Sequence, residues 1–171
     1  MSGDKRSRTG MARVLIAVVF LAVPIPPVSS ADSTVSSGAL DGMSFVGKLG
    51  PSGEALDRDD ILFFRDGQFW SKGCVLCGFQ PGAYFARHAN GGIEFQGVLE
   101  SIERGRLSYS GTVRDGRVSA RINWRKDRWY WSIDKAFWFE GTLGEGIEAS
   151  SAEEAARLAS VADSAPQDCR L

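Results

Sequence analysis

The sequence predicts an all-β fold, an eight-stranded antiparallel up-and-down barrel followed by one C-terminal helix. Three observations lead there: apolar and polar residues alternate along short segments, turn dipeptides separate these segments, and the connections suit antiparallel neighbours. Closing such a meander into a barrel removes its exposed edges. The 171 residues include 20 Gly, 10 Phe, 5 Trp and 3 Tyr, a composition typical of strands with tight turns.

The alternation is clearest in the second half of the chain. Leu107, Tyr109 and Val113 fall on one face of their segment, and the polar residues between them fall on the other. A helix would spread these residues around its surface, whereas a strand separates them. The stretch 126–135 reads as part strand and part loop. The predicted strands are 43–49, 61–65, 68–72, 83–89, 93–101, 106–113, 117–125 and 136–143.

Turn residues join the predicted strands. Asp66-Gly67 and Asp115-Gly116 each connect two strand-like segments, which is the strongest short-range indication of a hairpin. Asn90-Gly91-Gly92 and Glu103-Arg104-Gly105 indicate slightly longer turns. Sequential strands are therefore expected to pair antiparallel.

A weak repeat, aromatic-x-Gly-x-aliphatic, occurs at 45–49, 95–99, 109–113 and 139–143. Glycine weakens a strand unless its small size has a geometric use. One use is to let a narrow sheet bend while the aromatic side chain covers the gap. The other is to leave room for a ligand inside the barrel.

The amino terminus has the features of a secretory signal peptide over residues 1–31. Basic residues precede the apolar run Val14–Val23, and small residues lie before Ala31. Met11 is an alternative start. Ten apolar residues would cross only about half of a ~30 Å hydrocarbon core. We therefore expect a periplasmic or secreted protein without a stable membrane span after signal removal.

The domain prediction divides the rest of the chain into a flexible leader at 32–41, a β-barrel at 42–145, and a C-terminal helix and tail at 146–171. Ser150 with Glu153, or Ser151 with Glu154, offers a capping box for the helix. Its narrow apolar stripe is expected to lie on the outside of the barrel. The stripe consists of Ala155, Leu158, Ala159 and Ala162.

The order of elements resembles the lipocalin-like (calycin) superfamily. Three segments look more closely like a pattern in small exported bacterial proteins of undefined role. They are Phe45–Leu49, a Cys followed by Gly78-Phe79 and Tyr84, and Trp138–Leu143. The resemblance covers about 41–143. It implies a barrel and carries no residue-level chemistry.

Cys74 and Cys77 form the one motif that invites a redox interpretation. Their surroundings have loop composition rather than the strand-to-helix junction that lowers a thiol pKa. Zinc would need two further ligands, so we expect neither metal nor cofactor. Cys169 lies near the chain end, and a structural disulfide could join it to Cys74 or Cys77, or join Cys74 to Cys77. One thiol is left over in each case.

Other chemistry-bearing residues are few. His88, the single histidine, is expected on the surface at a strand end, and 57–60 (Asp-Arg-Asp-Asp) as a solvated turn. No nucleophile motif is recognisable, so we predict that the chain is not an enzyme. The 20 basic residues are balanced by 21 acidic ones, which argues against a nucleic-acid partner.

The densest feature is a run of seven aromatic residues within 124–139. Trp129, Tyr130 and Trp131 cannot all point inward from one strand. Exposed next to Arg125 and Arg128, with Lys126 between, they would suit a binding lip at the barrel mouth. The alternative is a second small core under the helix or a capped barrel end. The candidate ligand-binding residues are Trp124, Trp129, Tyr130, Trp131 and Trp138.

Two functions compete. The first is an exported binding module that takes a small apolar or amphipathic ligand at one open end of the barrel. The second is a periplasmic or secreted interaction or inhibitor protein, which would contact a protein partner through loops 73–82 and 126–135.

Overall fold

The computed structural model describes Ser36 and residues 38–164, and the predicted fold is confirmed: eight antiparallel strands close into one barrel, in sequence order. The predicted signal peptide and Cys169 lie outside the described residues. Two helices, α1 (Lys72–Leu76) and α2 (Ala152–Ser164), accompany the barrel. The strands are β1 (Ser44–Pro51), β2 (Arg58–Arg65), β3 (Gln68–Ser71), β4 (Gly82–Ala89), β5 (Gly92–Ser101), β6 (Gly105–Arg114), β7 (Arg117–Arg128) and β8 (Trp131–Leu143).

Hairpin turns set the register of the barrel. Asp66-Gly67, Asn90-Gly91 and Asp115-Gly116 each have positive φ at both residues, which matches the right-handed twist of the flanking strands. The barrel closes where β8 pairs with β1, with Gly47 opposite Gly141. A Cβ on Gly47 would collide with the backbone of Glu140, so this seam requires glycine.

Each predicted strand is present, with bounds that differ by a few residues at most, except in β2, β7 and β8. The largest difference concerns 126–135. The first part of this stretch continues β7, the last part begins β8, and only Trp129 and Tyr130 form the turn. The β7–β8 hairpin is therefore longer than the sequence predicted.

The interior of the barrel is filled by aromatic side chains. Phe64 packs edge-on against Phe95 with ring centroids 5.2 Å apart, and Phe69 packs against Tyr109 at 5.1 Å. Such edge-to-face pairs add favourable contacts to the burial of apolar area. The same core contains Phe45, Phe79, Tyr84, Leu99, Leu107, Ile122, Phe137 and Phe139.

The glycines of the weak repeat accommodate these rings. A Cβ on Gly111 would lie 2.6 Å from the Phe95 ring, and one on Gly97 would overlap the Phe69 ring. The first interpretation of the repeat thus fits the structure: the aromatic side chain covers the gap that glycine leaves. At these two positions, the space is occupied by protein.

Helix α2 packs on the outside of the barrel, as predicted, but with a narrower stripe. Ala155, Ala159 and Ala162 are buried, whereas Leu158 is exposed and does not belong to the stripe. Ser151 caps the helix, accepting a hydrogen bond from the amide of Glu154 at 3.1 Å. A small outer core lies beneath the helix and consists of Phe63, Trp70, Val75, Ala155 and Ala159.

Two segments predicted as loop or leader are ordered parts of the fold. Residues 72–76 form α1, capped by Ser71, because the Ser71 hydroxyl accepts from the amide of Cys74. The predicted flexible leader contains Leu40, which is completely buried, and Ser36, which bridges to Ala86. The packed domain therefore includes part of 32–41. Among the described residues, none of the helices has the length and apolar character needed to cross a membrane.

We expect Gly97→Ala to lower the free energy of unfolding by about 1–3 kcal/mol, because the added methyl group must displace the Phe69 ring. Urea unfolding measures this change. Gln96→Ala is the matched control, since Gln96 is the exposed neighbour on the same strand. Equal stability of Gly97→Ala and Gln96→Ala would contradict the packed interior.

Candidate functional site

The β7–β8 hairpin projects beyond its neighbours at one end of the barrel. Pairing of β7 with β6 ends at Arg125, opposite Arg106, and pairing of β8 with β1 ends at Phe137. Beyond these points, Lys126–Arg128 pair only with Trp131–Ile133. The end of the hairpin is therefore a two-stranded ribbon whose tip is formed by Trp129, Tyr130 and Trp131. We call these three residues the aromatic tip.

The aromatic tip is the most exposed aromatic cluster among the described residues. Trp129 is 92% exposed, Tyr130 64% and Trp131 42%. Their rings contact one another edge-on, with centroids 4.7 Å apart for Trp129 and Tyr130 and 6.1 Å for Tyr130 and Trp131. Three adjacent exposed aromatic side chains are characteristic of a contact surface rather than of ordinary surface residues.

The other two predicted ligand-binding residues do not join this cluster. Trp124 is half-buried against the main core, and its indole N–H donates to the carbonyl of Arg104 at 2.7 Å. Trp138 lies on the outer face of β8, and its N–H reaches the Glu140 carboxylate at 3.2 Å. Of the five predicted residues, the structure brings together only Trp129, Tyr130 and Trp131.

Basic side chains gather behind the aromatic tip. The guanidinium of Arg128 lies 5.9 Å from the centre of the Trp131 ring, and Arg125 forms an ion pair with Asp127 at 3.1 Å. Partial desolvation of Lys126 lowers its pKa below the usual value, and the neighbouring charge of Arg128 lowers it further. Residues 103–106 and 125–135 carry six basic side chains against three acidic ones in a chain whose net charge is −1.

Topology supplies the part of this site that the sequence did not predict. Arg104 and Arg106 are about twenty residues away along the chain, yet the β6–β7 register places Arg106 directly opposite Arg125. Like charges opposite each other in a sheet are unfavourable, but the same register places Glu100 on the other side of Arg106 and Asp134 on the other side of Arg125. These cross-strand neighbours are detectable only once the register is known.

Candidate loop 73–82 is mostly buried. Val75, Cys77 and Phe79 pack inside the protein, and Leu76 is the exposed apolar exception. Gln80 contacts Ser160 of α2 through a 3.1 Å hydrogen bond. A groove of about 770 Å³ lies nearby, lined by residues that include Pro81, Ile102 and Ser164.

A buried polar cluster connects β2, β3 and α1. Ser71 donates a hydrogen bond of 2.5 Å to Asp60, which also accepts from the amides of Gly73 and Ile61. Asp60 was expected in a solvated turn, but β2 already begins at Arg58, so its inward alternation carries Asp60 into the interior. Burial raises the pKa of this carboxyl group, although the hydrogen bonds counteract the effect.

Cys74 belongs to the same cluster and is an unreactive thiol. Its sulfur lies 3.3 Å from the Tyr109 hydroxyl oxygen. Burial, followed by the nearby charge of Asp60, raises the thiol pKa to about 12, so the position in a helix after a strand does not activate it. Because Cys74 is a free cysteine, the predicted disulfides Cys74–Cys77 and Cys74–Cys169 are wrong.

The remaining candidates show no assembled chemistry. His88 is exposed on β4, where the sequence placed it. Among the residues that the structure describes, no three His, Cys, Asp or Glu side chains are grouped to hold a metal ion.

No protein-family model, curated protein or solved structure matches this chain. The closed eight-stranded barrel is thus established by its own strand pairing. The lipocalin-like resemblance stays a prediction from the order of elements.

We expect Asp60→Asn to lower the free energy of unfolding by about 1–3 kcal/mol, because an amide cannot accept all three hydrogen bonds. The substitution should also reduce the pH dependence of the free energy of unfolding. Since the folded-state pKa of Asp60 is raised, its contribution to stability is largest below about pH 4 and declines as the pH rises through that pKa.

Urea unfolding at pH values from about 3 to about 8, in steps of about one pH unit, measures both effects. The control is Asp59→Asn, because Asp59 is exposed on the same strand and should change stability by no more than about 0.5 kcal/mol. A steeper pH dependence in Asp60→Asn than in the unsubstituted protein would contradict the raised pKa.

Proposed function

We propose that this chain is an exported binding module that contacts its partner through the aromatic tip of the β7–β8 hairpin. One observation carries the proposal: Trp129, Tyr130 and Trp131 are exposed together on a projecting ribbon, while the barrel interior is packed with aromatic side chains. Aromatic side chains dominate binding energetics at interfaces because each buries a large area with few rotatable bonds.

Export to the periplasm or the outside of the cell is part of this proposal. Its support is the basic start, the apolar run Val14–Val23 and the small residues up to Ala31. The proposal includes no catalytic activity, and the burial and raised pKa of the Cys74 thiol support this.

The packed interior favours an external contact over a ligand held within the barrel. A carrier needs a concave pocket that covers most of its ligand. Here Phe69 and Phe95 occupy the space above Gly97 and Gly111, where such a pocket would lie. Of the two loops considered for an interaction protein, 126–135 is the exposed one.

We further propose a disulfide between Cys77 and Cys169. Cys74 is free, and Gly78, next to Cys77, lies against Asp163 near the end of α2. Cys169 follows Asp163 by six positions, and an extended chain of that length reaches about 20 Å. Closing a loop of about 90 residues would stabilise the fold by roughly 4 kcal/mol in the chain-entropy model.

Non-reducing peptide mapping tests this disulfide. We expect one linked pair of peptides, containing Cys77 and Cys169, and alkylation of Cys74 only after unfolding, because its thiol is buried. A linked peptide that contains Cys74, or rapid alkylation of Cys74 in the native protein, would contradict the assignment.

The role of the aromatic tip is tested by photo-crosslinking in the host that produces the protein. We expect p-benzoylphenylalanine in place of Tyr130 to give crosslinked products, whether with lipid or with protein. The same amino acid in place of Phe85 is the control, because Phe85 is an exposed aromatic residue on the outer face of β4. Equal or absent crosslinking at 130 relative to 85 would refute the proposal.

Substitution at the tip should leave folding intact. Trp129→Ser is expected to change the free energy of unfolding by less than about 0.5 kcal/mol, because the side chain is almost wholly exposed. Trp124→Ala, in the same hairpin, is expected to cost about 3 kcal/mol through lost packing and its hydrogen bond. A large loss of stability in Trp129→Ser would place the residue in a core.

A further inference from the structure

The shape of the hairpin limits what the aromatic tip can contact. The ribbon is two strands wide, and it ends in a turn of only Trp129 and Tyr130. A protein partner would have to supply a matching cavity for the rings. A fluid bilayer interface adapts to a protruding tip without a preformed cavity.

The side-chain types match that interface. Trp and Tyr concentrate at the boundary between headgroups and acyl chains, where their rings are in an apolar layer and their polar groups stay hydrated. The tip has two indoles and one phenol. The backbone of Lys126–Arg128 is hydrogen-bonded to Trp131–Ile133, so much of the ribbon's polar backbone is already paired when the side chains insert.

The charges behind the tip specify the lipid. Arg106 and Arg125 lie opposite each other, and each faces an acidic residue on its other neighbouring strand, Glu100 for Arg106 and Asp134 for Arg125. Nearby ion pairs compensate part of this charge, through Asp127 and, more distantly, Glu100. The summed charge of the residues behind the tip remains positive, although the whole chain has a net charge of −1. The basic residues are Arg104, Arg106, Arg125, Lys126, Arg128 and Lys135.

From this convergence we propose that the aromatic tip attaches the protein to the surface of a bilayer that contains anionic phospholipids. Trp129 and Trp131 enter the headgroup layer, and the basic side chains behind them contact lipid phosphates. The inference rests on the proposed function and names its partner. Attachment is peripheral: only the tip enters the interface, and the barrel stays outside the bilayer.

Co-sedimentation of the intact protein with vesicles tests the inference. The vesicles contain phosphatidylcholine alone or with about one third phosphatidylglycerol. We expect binding to the anionic vesicles to be at least about tenfold tighter and to weaken as salt is raised. Brominated acyl chains should quench tryptophan fluorescence on binding.

Two pairs of variants separate the contributions of rings and charges. Trp129→Ser combined with Trp131→Ser should weaken partitioning about 100-fold, whereas Phe85→Ser should leave it unchanged. Arg128→Glu combined with Lys135→Glu should abolish the preference for anionic vesicles. Arg121→Glu is the charge control, because Arg121 is exposed in mid-strand, opposite Trp138.

The outcomes distinguish this inference from the proposed function. Crosslinking of position 130 to a protein without vesicle binding would overturn the bilayer assignment and leave the contact role of the tip standing. Equal binding to both vesicle types would overturn the anionic requirement. Absence of both vesicle binding and crosslinking would overturn both proposals.

Discussion

The structure depends on one packing constraint: the eight-stranded barrel fills its interior with side chains. It does so with large aromatic rings, several of which sit directly over strand glycines such as Gly97 and Gly111. Ring and glycine therefore depend on each other. A glycine without the ring above it would leave a void, and a ring above a larger residue would collide with its side chain. At these positions the interior of the barrel is occupied by protein.

The same constraint explains the organisation outside the barrel. Helix α2 buries alanines rather than large residues, so it lies close against the outward-facing rings of Phe63 and Trp70. Helix α1 fills the short gap between β3 and β4, held by Ser71 and the buried carboxyl group of Asp60. These contacts fix one side of the protein. The β7–β8 ribbon, by contrast, leaves the barrel with few contacts beyond its own pairing.

The strands were predictable because period-two alternation and Asp-Gly turns are local signals, and the eight segments and their order follow from them. That Trp129, Tyr130 and Trp131 do not all point inward was also predictable, since three consecutive residues cannot share one face of a strand. That all three are exposed is seen only in the structure. What local patterns lack is register. The pairing of Arg106 with Arg125 arises from it. Local patterns also do not fix where a strand begins. The solvated turn predicted at 57–60 is wrong because β2 begins at Arg58, so that Asp59 and Asp60 fall on opposite faces and Asp60 is buried.

Length is the feature of the hairpin with the widest consequence. Because Trp129 and Tyr130 are largely exposed at the end of the ribbon, their side chains contribute little to the stability of the folded body, whereas Trp131 is more than half covered. Substitutions at Trp129 and Tyr130 are therefore largely uncoupled from whether the chain folds. The same scaffold would tolerate other residues at the end of this ribbon, so one barrel design has the means to acquire new attachments by changing only a few codons.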